Sequence, residues 1–192
     1  MTAVNTKEIL GLLKTEQPSF VDTRGDESAS FFESISAGLS ANGGLFMPKE
    51  IPDTLKNIPG FFENILPTLT ISEIATILHR IFIPQKDIGD EELGQMMGKA
   101  YSFDIPIESI VDYTFIARLD EGPTASFKDF AARSISQLLD KYGETHNKPI
   151  NVVVATSGDT GVAIADAFGN AKNITVTVMY PDGGVSEVQE KQ

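Results

Sequence analysis

The stretch that decides the fold runs from Ile150 to Phe168 and reads INVVVATSGDTGVAIADAF. Its first part, Asn151 to Ala155, is short and almost entirely apolar, which is typical of a strand buried on both faces of a parallel sheet. The pattern then breaks into a small polar loop, TSGDTG, and Val162 to Phe168 follows with apolar residues at helical spacing. The sequence therefore predicts a strand, a loop and a helix, in that order.

The TSGDTG loop thus connects the carboxyl end of a strand to the amino end of a helix. Open parallel sheets bind their ligands at that edge. The free N–H groups at a helix start favour a carboxylate or a phosphate, and glycines allow the ligand to come close. The loop is therefore a candidate site for a small anion, and helix capping is the structural alternative for Asp159.

A second informative stretch lies upstream, from Glu121 to Arg133, and reads EGPTASFKDFAAR. We expect a loop that leads into an amphipathic helix from Phe127 to about Tyr142, with its apolar face buried and Gly143 as its end. Ser126 and Asp129 have the spacing of a capping pair. Lys128 falls within the first two helical residues, where the helix dipole disfavours an ammonium ion but tolerates a neutral amine.

A neutral lysine amine suits attack on an aldehyde, which forms a Schiff base. The alternative for Lys128 is a solvated surface side chain. We also predict strands at Tyr113 to Leu119 and Ile174 to Tyr180, which give the order strand, helix, strand, helix, strand. That order predicts a parallel sheet with right-handed crossovers, in which Lys128 and the TSGDTG loop face one crevice.

The chain before this region is dominated by predicted helices. A boundary near Phe103 to Ile110 gives a mixed, largely helical domain at 1–103 and the start of an α/β domain at 104–192. Short extended pieces are expected at Phe20 to Thr23 and at Leu45 to Pro48, and a single helical turn at Phe61 to Ile65. The four predicted helices are Lys7 to Leu13, Ser30 to Leu39, Ser72 to Phe82, with Ser72 as its cap, and Asp90 to Tyr101.

Composition excludes several classes of protein. A net charge of −12 over 192 residues argues against a nucleic-acid partner, because nothing would offset phosphate repulsion. The chain has no cysteine, so it has no disulfide framework and no thiolate metal site, and its two histidines, His79 and His146, lie far apart. No apolar run reaches membrane-spanning length, so we expect a cytoplasmic protein without a membrane partner.

Three stretches together resemble the threonine synthase family, whose members are pyridoxal-phosphate enzymes of the tryptophan-synthase-β type. They are FVDTRGDESASFFESISAGLSANGGLFMP (Phe20 to Pro48), EGPTASFKDFAAR, and VVVATSGDTGVAIADAFG. The resemblance implies an α/β fold, with a mixed helical amino-terminal lobe followed by part of an open parallel-sheet lobe of fold type II. Many relatives in the wider superfamily have asparagine where Asp159 stands, and the aspartate matches the threonine synthase branch.

The resemblance also implies roles for single residues. Lys128 would carry pyridoxal 5′-phosphate as a Schiff base and shuttle protons while O-phosphohomoserine and water become threonine and phosphate. Asp159 would face the cofactor's 3′-oxygen. Arg133 is a candidate for the substrate phosphate, and pairing with an acidic neighbour is its structural alternative. Asp22, Arg24 and Glu33 receive no role. The substrate's α-carboxylate would be held by Thr156, Ser157, Gly158, Asp159 and Thr160.

Members of this family are more than twice as long as this chain. We therefore expect an amino-terminal part of a longer enzyme, inactive alone and weak in cofactor binding. The groups that hold the cofactor phosphate and the pyridine nitrogen are expected beyond Gln192.

Two alternatives stay open, and three other motifs fail. Serine or threonine dehydratase-like lyases share the sheet and the lysine, and a non-catalytic module could bind a small anion at the same loop. The Asp-Thr-Gly triplet of aspartic proteases leads into β-structure, whereas a helix is predicted here. A Ser-x-x-Lys hydrolase needs serine where Ala125 stands, and a Walker loop needs Gly-Lys where Gly161 precedes Val162.

Overall fold

The structure, a computed structural model, describes residues 6–13 and 18–191. Contacts between Cα atoms divide the chain into two compact units, Met1–Gly98 and Lys99–Gln192. The sequence places this boundary a few residues later, between 103 and 104.

The first unit combines helices with a small antiparallel sheet of strand order β2-β1-β3. Phe20 in the central strand pairs with Ala29 on one side and with Pro48 on the other. A 3-10 helix at Asp53–Asn57, a π-helical turn at Phe61–Ile65 and a 3-10 turn at Leu66–Thr68 follow the sheet. The regular elements are α1 (Thr6–Leu12), β1 (Phe20–Asp22), β2 (Ser28–Ala29), α2 (Phe31–Ala37), β3 (Phe46–Pro48), α3 (Ile71–Arg80) and α4 (Asp90–Ala100), which continues into the second unit.

The core of the first unit forms where α1 packs against α3 and the turns before it. The predicted apolar side of the first helix is confirmed, because Ile9, Leu10 and Leu13 are all buried. The apolar spacing of α4 is confirmed as well. Its buried residues are Leu93, Met96, Met97 and Ala100.

Two helix ends in this unit differ from the sequence prediction. The cap of α3 is Thr70 and not Ser72: the Glu73 N–H donates to Thr70 Oγ1 at 3.3 Å, and the Thr70 N–H donates to Glu73 Oε2 at 2.8 Å. Helix α2 stops at Ala37, since Gly38 adopts φ 71°. The predicted helix end at Leu39 is therefore wrong, and Leu39 is 58% exposed. A cap depends on backbone angles that apolar spacing does not reveal.

A buried arginine organises the connection from α3 to α4. The Arg80 guanidinium donates to the carbonyl oxygens of Ile83 and Ile88, each at 2.8 Å, and its Nε lies 2.9 Å from Asp90 Oδ1. These contacts satisfy a charge that would otherwise be costly to bury. Arg80 therefore fixes the loop that leads to the first residue of α4.

The second unit contains a hairpin and a β-α-β arrangement. The hairpin sheet is antiparallel, with Ile107 opposite Ala117 and Val111 opposite Thr114, and the other sheet is parallel, with Ile150 opposite Ile174 and Ala155 opposite Met179. The elements are β4 (Ile107–Val111), β5 (Thr114–Ala117), α5 (Lys128–His146), β6 (Ile150–Ala155), α6 (Asp159–Phe168), β7 (Ile174–Met179) and α7 (Glu187–Lys191).

The strand predicted at Tyr113 to Leu119 forms, but its predicted place in the parallel sheet is wrong. The chain reverses at Asp112 and Tyr113, where Tyr113 adopts φ 62°, and β5 then pairs with β4. The positive φ of a non-glycine residue marks a tight turn that the apolar pattern did not indicate.

The parallel pair β6 and β7 is confirmed, yet its burial differs from the prediction. Exposure alternates along both strands, and Val153 is 60% exposed. Because α5 and α6 pack against the same two strands, they cover one face of the sheet and leave the other open. The expectation that β6 is buried on both faces is therefore wrong for this chain.

Across residues 6–13 and 18–191, no helix combines the length and the apolarity that crossing a membrane requires.

Two helical glycines should respond to alanine in opposite ways. A Cβ at Gly94 in α4 would meet nothing within 4 Å, so Gly94→Ala should raise the free energy of unfolding by about 0.5–1 kcal/mol through helix propensity. A Cβ at Gly143 in α5 would lie 2.8 Å from Asn173 Cβ, so Gly143→Ala should lower that free energy by about 1–3 kcal/mol. Denaturant titration of both variants measures the signs, and equal signs would contradict this packing.

Histidine protonation should destabilise the first unit. His79 Nδ1 lies 2.8 Å from the Ala75 carbonyl oxygen, and burial lowers the pKa of His79 from its ordinary value of 6.5. Below pH 6.5 the unfolded chain takes up a proton that the folded chain resists. The free energy of unfolding therefore decreases as the pH is lowered, by at most about 1.4 kcal/mol per pH unit. His79→Leu should remove this part of the slope between pH 7 and pH 5. Thermal unfolding of the wild type and the variant over that range measures it, and identical slopes would contradict the prediction.

Candidate functional site

Lys128 is the first residue of α5, which agrees with the position that the sequence predicts. The preceding residue, Phe127, occupies the N-cap position and offers no side-chain hydrogen bond to the helix. The half-buried Lys128 side chain places Nζ 4.4 Å from the centroid of the Phe127 ring. No ion pair among the described residues involves Lys128, so its amine is not committed to a carboxylate.

The predicted capping pair of Ser126 and Asp129 does not form. Asp129 is 0% exposed, and its carboxylate accepts hydrogen bonds from the Thr124 N–H at 2.9 Å and the Thr124 hydroxyl at 2.7 Å. Ser126 instead accepts from the Lys128 N–H at 3.3 Å, and Ala125 takes a left-handed conformation with φ 54°. The loop before α5 thus wraps around the buried carboxylate, which fixes the direction from which the chain enters the helix at Lys128.

The far end of α5 also differs from the prediction. The helix passes through Gly143 and ends at His146, after which Asn147 adopts a left-handed conformation with φ 48°. Gly143 is therefore not the terminator, and it serves as the close-contact point against Asn173. Phe127, expected on the buried face, is 62% exposed because it lies just before the helix.

The TSGDTG loop is shorter than expected, since α6 begins at Asp159 and not at Val162. The Thr156 N–H donates to the Met179 carbonyl oxygen at 2.9 Å, and the Gly158 N–H donates to Thr156 Oγ1 at 3.2 Å. Gly158 is the N-cap, and no side chain caps the helix there. The alternative role of Asp159 as the cap of a helix from Val162 onward is therefore wrong. The Gly161 N–H donates to the Gly158 carbonyl oxygen at 3.0 Å, whereas the N–H groups of Asp159 and Thr160 have no partner among the described residues.

Gly161 holds α6 close to the sheet. A Cβ at this position would lie 2.5 Å from Thr156 Cγ2 and 2.9 Å from Val178 Cγ1. The helix start borders a small cavity of about 150 Å³. Its lining includes Thr156, Gly158, Gly161, Val178, Tyr180 and Gln189.

Two contacts between α5 and α6, and one between α5 and the loop after α6, indicate that the two helices run in the same direction. Arg133 Nη1 lies 3.0 Å from Asp166 Oδ2, the Ser136 hydroxyl donates to the Ala167 carbonyl oxygen at 2.6 Å, and the Asn173 N–H donates to Asp140 Oδ1 at 2.8 Å. The partners are 33, 31 and 33 residues apart in sequence.

Lys128 and Asp159 are 31 residues apart in sequence, which is close to the separations of these three pairs. Because the interval is nearly constant, the first residue of α5 and the first residue of α6 lie at the same end of the helix pair. The structure thus brings the residues from Thr156 to Thr160 together in one loop and places Lys128 at the same end of the unit.

Arg133 does not match its predicted role as a phosphate ligand. Its Nε donates to the Ala100 carbonyl oxygen at 2.9 Å, its Nη2 to the Lys99 carbonyl oxygen at 3.3 Å, and its Nη1 to Asp166. These contacts occupy the guanidinium with the last carbonyl groups of α4 and with α6. Arg133 is therefore a structural residue in this chain, which agrees with the pairing alternative.

The residues of the first matching stretch also have structural contacts. Glu33 and Ser30 form a reciprocal cap at the start of α2. Asp22 is buried, and the Arg24 N–H at 3.0 Å is the main cause that lowers the pKa of Asp22, with Asn42 donating to its other oxygen at 3.3 Å. Arg24 itself is exposed. No group of carboxylates and histidines within the described residues is arranged to hold a metal ion.

Two residues near the site were missed by the sequence analysis. Asp129 was assigned to helix capping, and its bond to Thr124 was not anticipated. Gln189 in α7 donates from Nε2 to Asp159 Oδ1 at 3.1 Å. The Ser-x-x-Gln spacing of Ser186 and Gln189 was the available signal, since it predicts a helix start where none was expected.

Comparison with known proteins identifies relatives over most of the chain. A family model described as threonine synthase N terminus matches residues 19–101. Threonine synthase from Buchnera aphidicola subsp. Baizongia pistaciae is 37% identical over 176 residues, and that from Escherichia coli is 35% identical over 170 residues. Both alignments cover 86% of this chain and 37% of the relative. The chain therefore spans little more than a third of the length of the curated relatives it matches.

Solved structures give the same result for the fold. Yeast threonine synthase superposes with a TM-score of 0.81 at 30% identity, covering 91% of this chain and 38% of that protein. A threonine synthase from Brucella melitensis with pyridoxal phosphate bound superposes with a TM-score of 0.80, also at 30% identity and with the same coverage. These neighbours confirm the α/β fold that the sequence predicts.

The loop before α5 should depend on the charge of Asp129. Asp129→Asn removes a charged acceptor of two hydrogen bonds and should lower the free energy of unfolding by about 2 kcal/mol, with the Thr124 amide exchanging faster with solvent. Hydrogen exchange followed by NMR, together with denaturant titration, measures both effects. Asp182→Asn, which changes an exposed aspartate elsewhere in this unit, is the matched control and should change neither. Unchanged exchange at Thr124 in Asp129→Asn would contradict the assigned contact.

Proposed function

We propose that this chain, which is similar to threonine synthases over most of its length, provides the lysine side of a pyridoxal 5′-phosphate site. The observation that carries the proposal is the common direction of α5 and α6. It brings to the same end of one unit the Lys128 amine, which forms no ion pair with any described residue, and the N–H groups of Asp159 and Thr160.

The side chains present fit such a cofactor. Covalent capture of an aldehyde needs an amine, and Lys128 provides one at the positive end of α5. The buried Asp129 keeps the preceding loop in place, so the backbone of Lys128 is held before any ligand arrives. Lys128 would therefore hold the cofactor through its amine.

The start of α6 suits the second ligand group, the α-carboxylate of an amino-acid substrate. The N–H groups of the first helical turn are natural partners for an anion, and the loop also carries the hydroxyl groups of Thr156, Ser157 and Thr160. Gly158 carries no side chain that would block the approach. Asp159 would turn its second oxygen to the cofactor's 3′-oxygen, which requires one of these two groups to carry a proton.

We propose the reaction of O-phosphohomoserine and water to give threonine and phosphate. When bound, pyridoxal phosphate supplies an electron sink for the carbon centres of the substrate. Lys128 would supply the mobile base, taking and returning protons at those carbons. The start of α6 would hold the carboxylate in a constant position throughout.

The length of the relatives limits where this reaction is proposed to occur. Since the chain spans 37% of the length of those enzymes, the activity is proposed for a polypeptide that also carries their remaining length. The groups for the cofactor phosphate and the pyridine nitrogen would come from there. The present chain alone would hold the cofactor weakly and lack activity, and a cytoplasmic location stays a prediction.

Reductive labelling tests the lysine assignment. Incubation of the chain with pyridoxal phosphate and then borohydride should label Lys128 several-fold faster than the other lysines, because its amine is uncommitted and lies at a helix start. Peptide mass spectrometry of the trypsin-digested chain measures the label at each lysine. Lys128→Arg should remove the fast component and leave the slow labelling of the remaining lysines.

Lys148→Arg is the matched control, since Lys148 is an exposed lysine in the same unit and its removal should leave the fast component intact. Uniform labelling of all lysines, or fast labelling that survives Lys128→Arg, would remove Lys128 from the proposed site. Reversible phosphate binding without any preferred labelling would favour an anion-binding module.

A further inference from the structure

We propose that Gln189 is a positioning residue for the start of α6: it holds the carboxylate of Asp159 aside and so keeps the N–H groups of Asp159 and Thr160 free for an anionic ligand. The inference rests on the proposed function for the ligand, a carboxylate, but not for the contact itself. It adds a residue from α7 to a site that the sequence places entirely in the TSGDTG loop.

An aspartate at the first position of a helix is the nearest competitor for that helix's free N–H groups. Its carboxylate can accept from them and satisfy the positive end of the dipole without any ligand. In this chain Asp159 Oδ1 accepts from Gln189 Nε2 at 3.1 Å, and no side-chain hydrogen bond caps the helix at Gly158. The carboxylate is thus engaged outside the helix.

Gln189 is itself held in one orientation. Its Oε1 accepts from both the N–H and the hydroxyl of Ser186, each at 3.2 Å, and its own N–H donates to Ser186 Oγ at 3.2 Å. This reciprocal cap uses the oxygen end of the amide, so the NH₂ end faces Asp159. The short helix α7 therefore orients the Gln189 amide so that its Nε2 donates to Asp159 at the start of α6.

The absence of a side chain at Gly158 makes room for this contact. Gly158 has an extended backbone with φ −179°, which any residue can adopt, so backbone conformation does not require glycine there. A Cβ would instead lie 2.9 Å from Gln189 Nε2. Glycine at this position therefore serves the approach of Gln189 as well as that of a ligand.

Hydrogen exchange of the backbone amides tests the contact without any ligand. In the 192-residue chain, Gln189→Ala should release the Asp159 carboxylate to its own helix, which slows exchange of the amides of Asp159 and Thr160 by about fivefold. The double variant Gln189→Ala with Asp159→Ala should exchange at the wild-type rate again, because the competing carboxylate is gone. A purely structural role of Gln189 would instead speed exchange in both variants.

Titration with L-threonine, followed through the same amide resonances, tests the consequence for binding. Gln189→Ala should weaken the apparent affinity by about fivefold, because the ligand must displace the Asp159 carboxylate. In the Asp159→Ala background the same substitution should change affinity by less than about twofold, since the two residues act as a pair. Val188→Ala, an exposed neighbour in α7, is the matched control and should change neither exchange nor affinity.

The possible results separate this inference from the proposed function. Faster or unchanged exchange in Gln189→Ala overturns the positioning role, whatever Lys128 does. Slower exchange with weaker threonine binding supports it. Slower exchange in a chain that shows no threonine binding at these amides overturns the ligand assignment, while the borohydride labelling of Lys128 still decides the cofactor half of the proposed site.

Discussion

The side-by-side packing of α5 and α6 is the constraint on which the rest of the second unit depends. Polar contacts of Arg133 and Ser136 with α6, and of Asp140 with the loop that follows α6, hold the two helices in register. None of these side chains lies at the candidate site. They determine nevertheless that both helix starts, with their partial positive charges, lie at one end of the pair. A slip of one helical turn would shift Lys128 by about 5.4 Å relative to the loop.

Sequence periodicity predicted the elements of this chain better than their ends or partners. The spacing of apolar residues indicated α4, the parallel strands and the buried side of α1, because burial imposes that spacing directly. Helix ends depend on individual side chains: Thr70 begins α3 through a capping box with Glu73, and Asn147 ends α5 in a left-handed conformation. The spacing of apolar residues indicates neither end. The strand at Thr114–Ala117 was recognised but assigned to the wrong sheet, since a pattern of alternating residues does not name the strand it pairs with.

The candidate site shows the same division between local and distant information. Lys128 and the TSGDTG loop could be read from the sequence because each is defined by its own neighbours along the chain. Asp129 could not be understood in this way, since its acceptor role depends on how the preceding loop folds back over it. Gln189 lies 30 residues from Asp159, and only the fold brings them into contact. For Arg133 the sequence suggests a phosphate ligand, whereas in the structure its guanidinium donates to backbone carbonyl oxygens.

The open face of the parallel sheet has a consequence for the behaviour of this chain in solution. Val153 and Met179 project from it, and the hairpin adds further apolar side chains, including Phe115, that are more than half exposed. Exposed apolar surfaces favour association between copies of the chain. The net charge of −12 on each copy opposes this association through electrostatic repulsion. Acidification toward the isoelectric point near 4.5 removes that repulsion, and strong salt screens it. The solubility of this polypeptide therefore depends on its acidic residues, which oppose the association that the open face of the sheet favours.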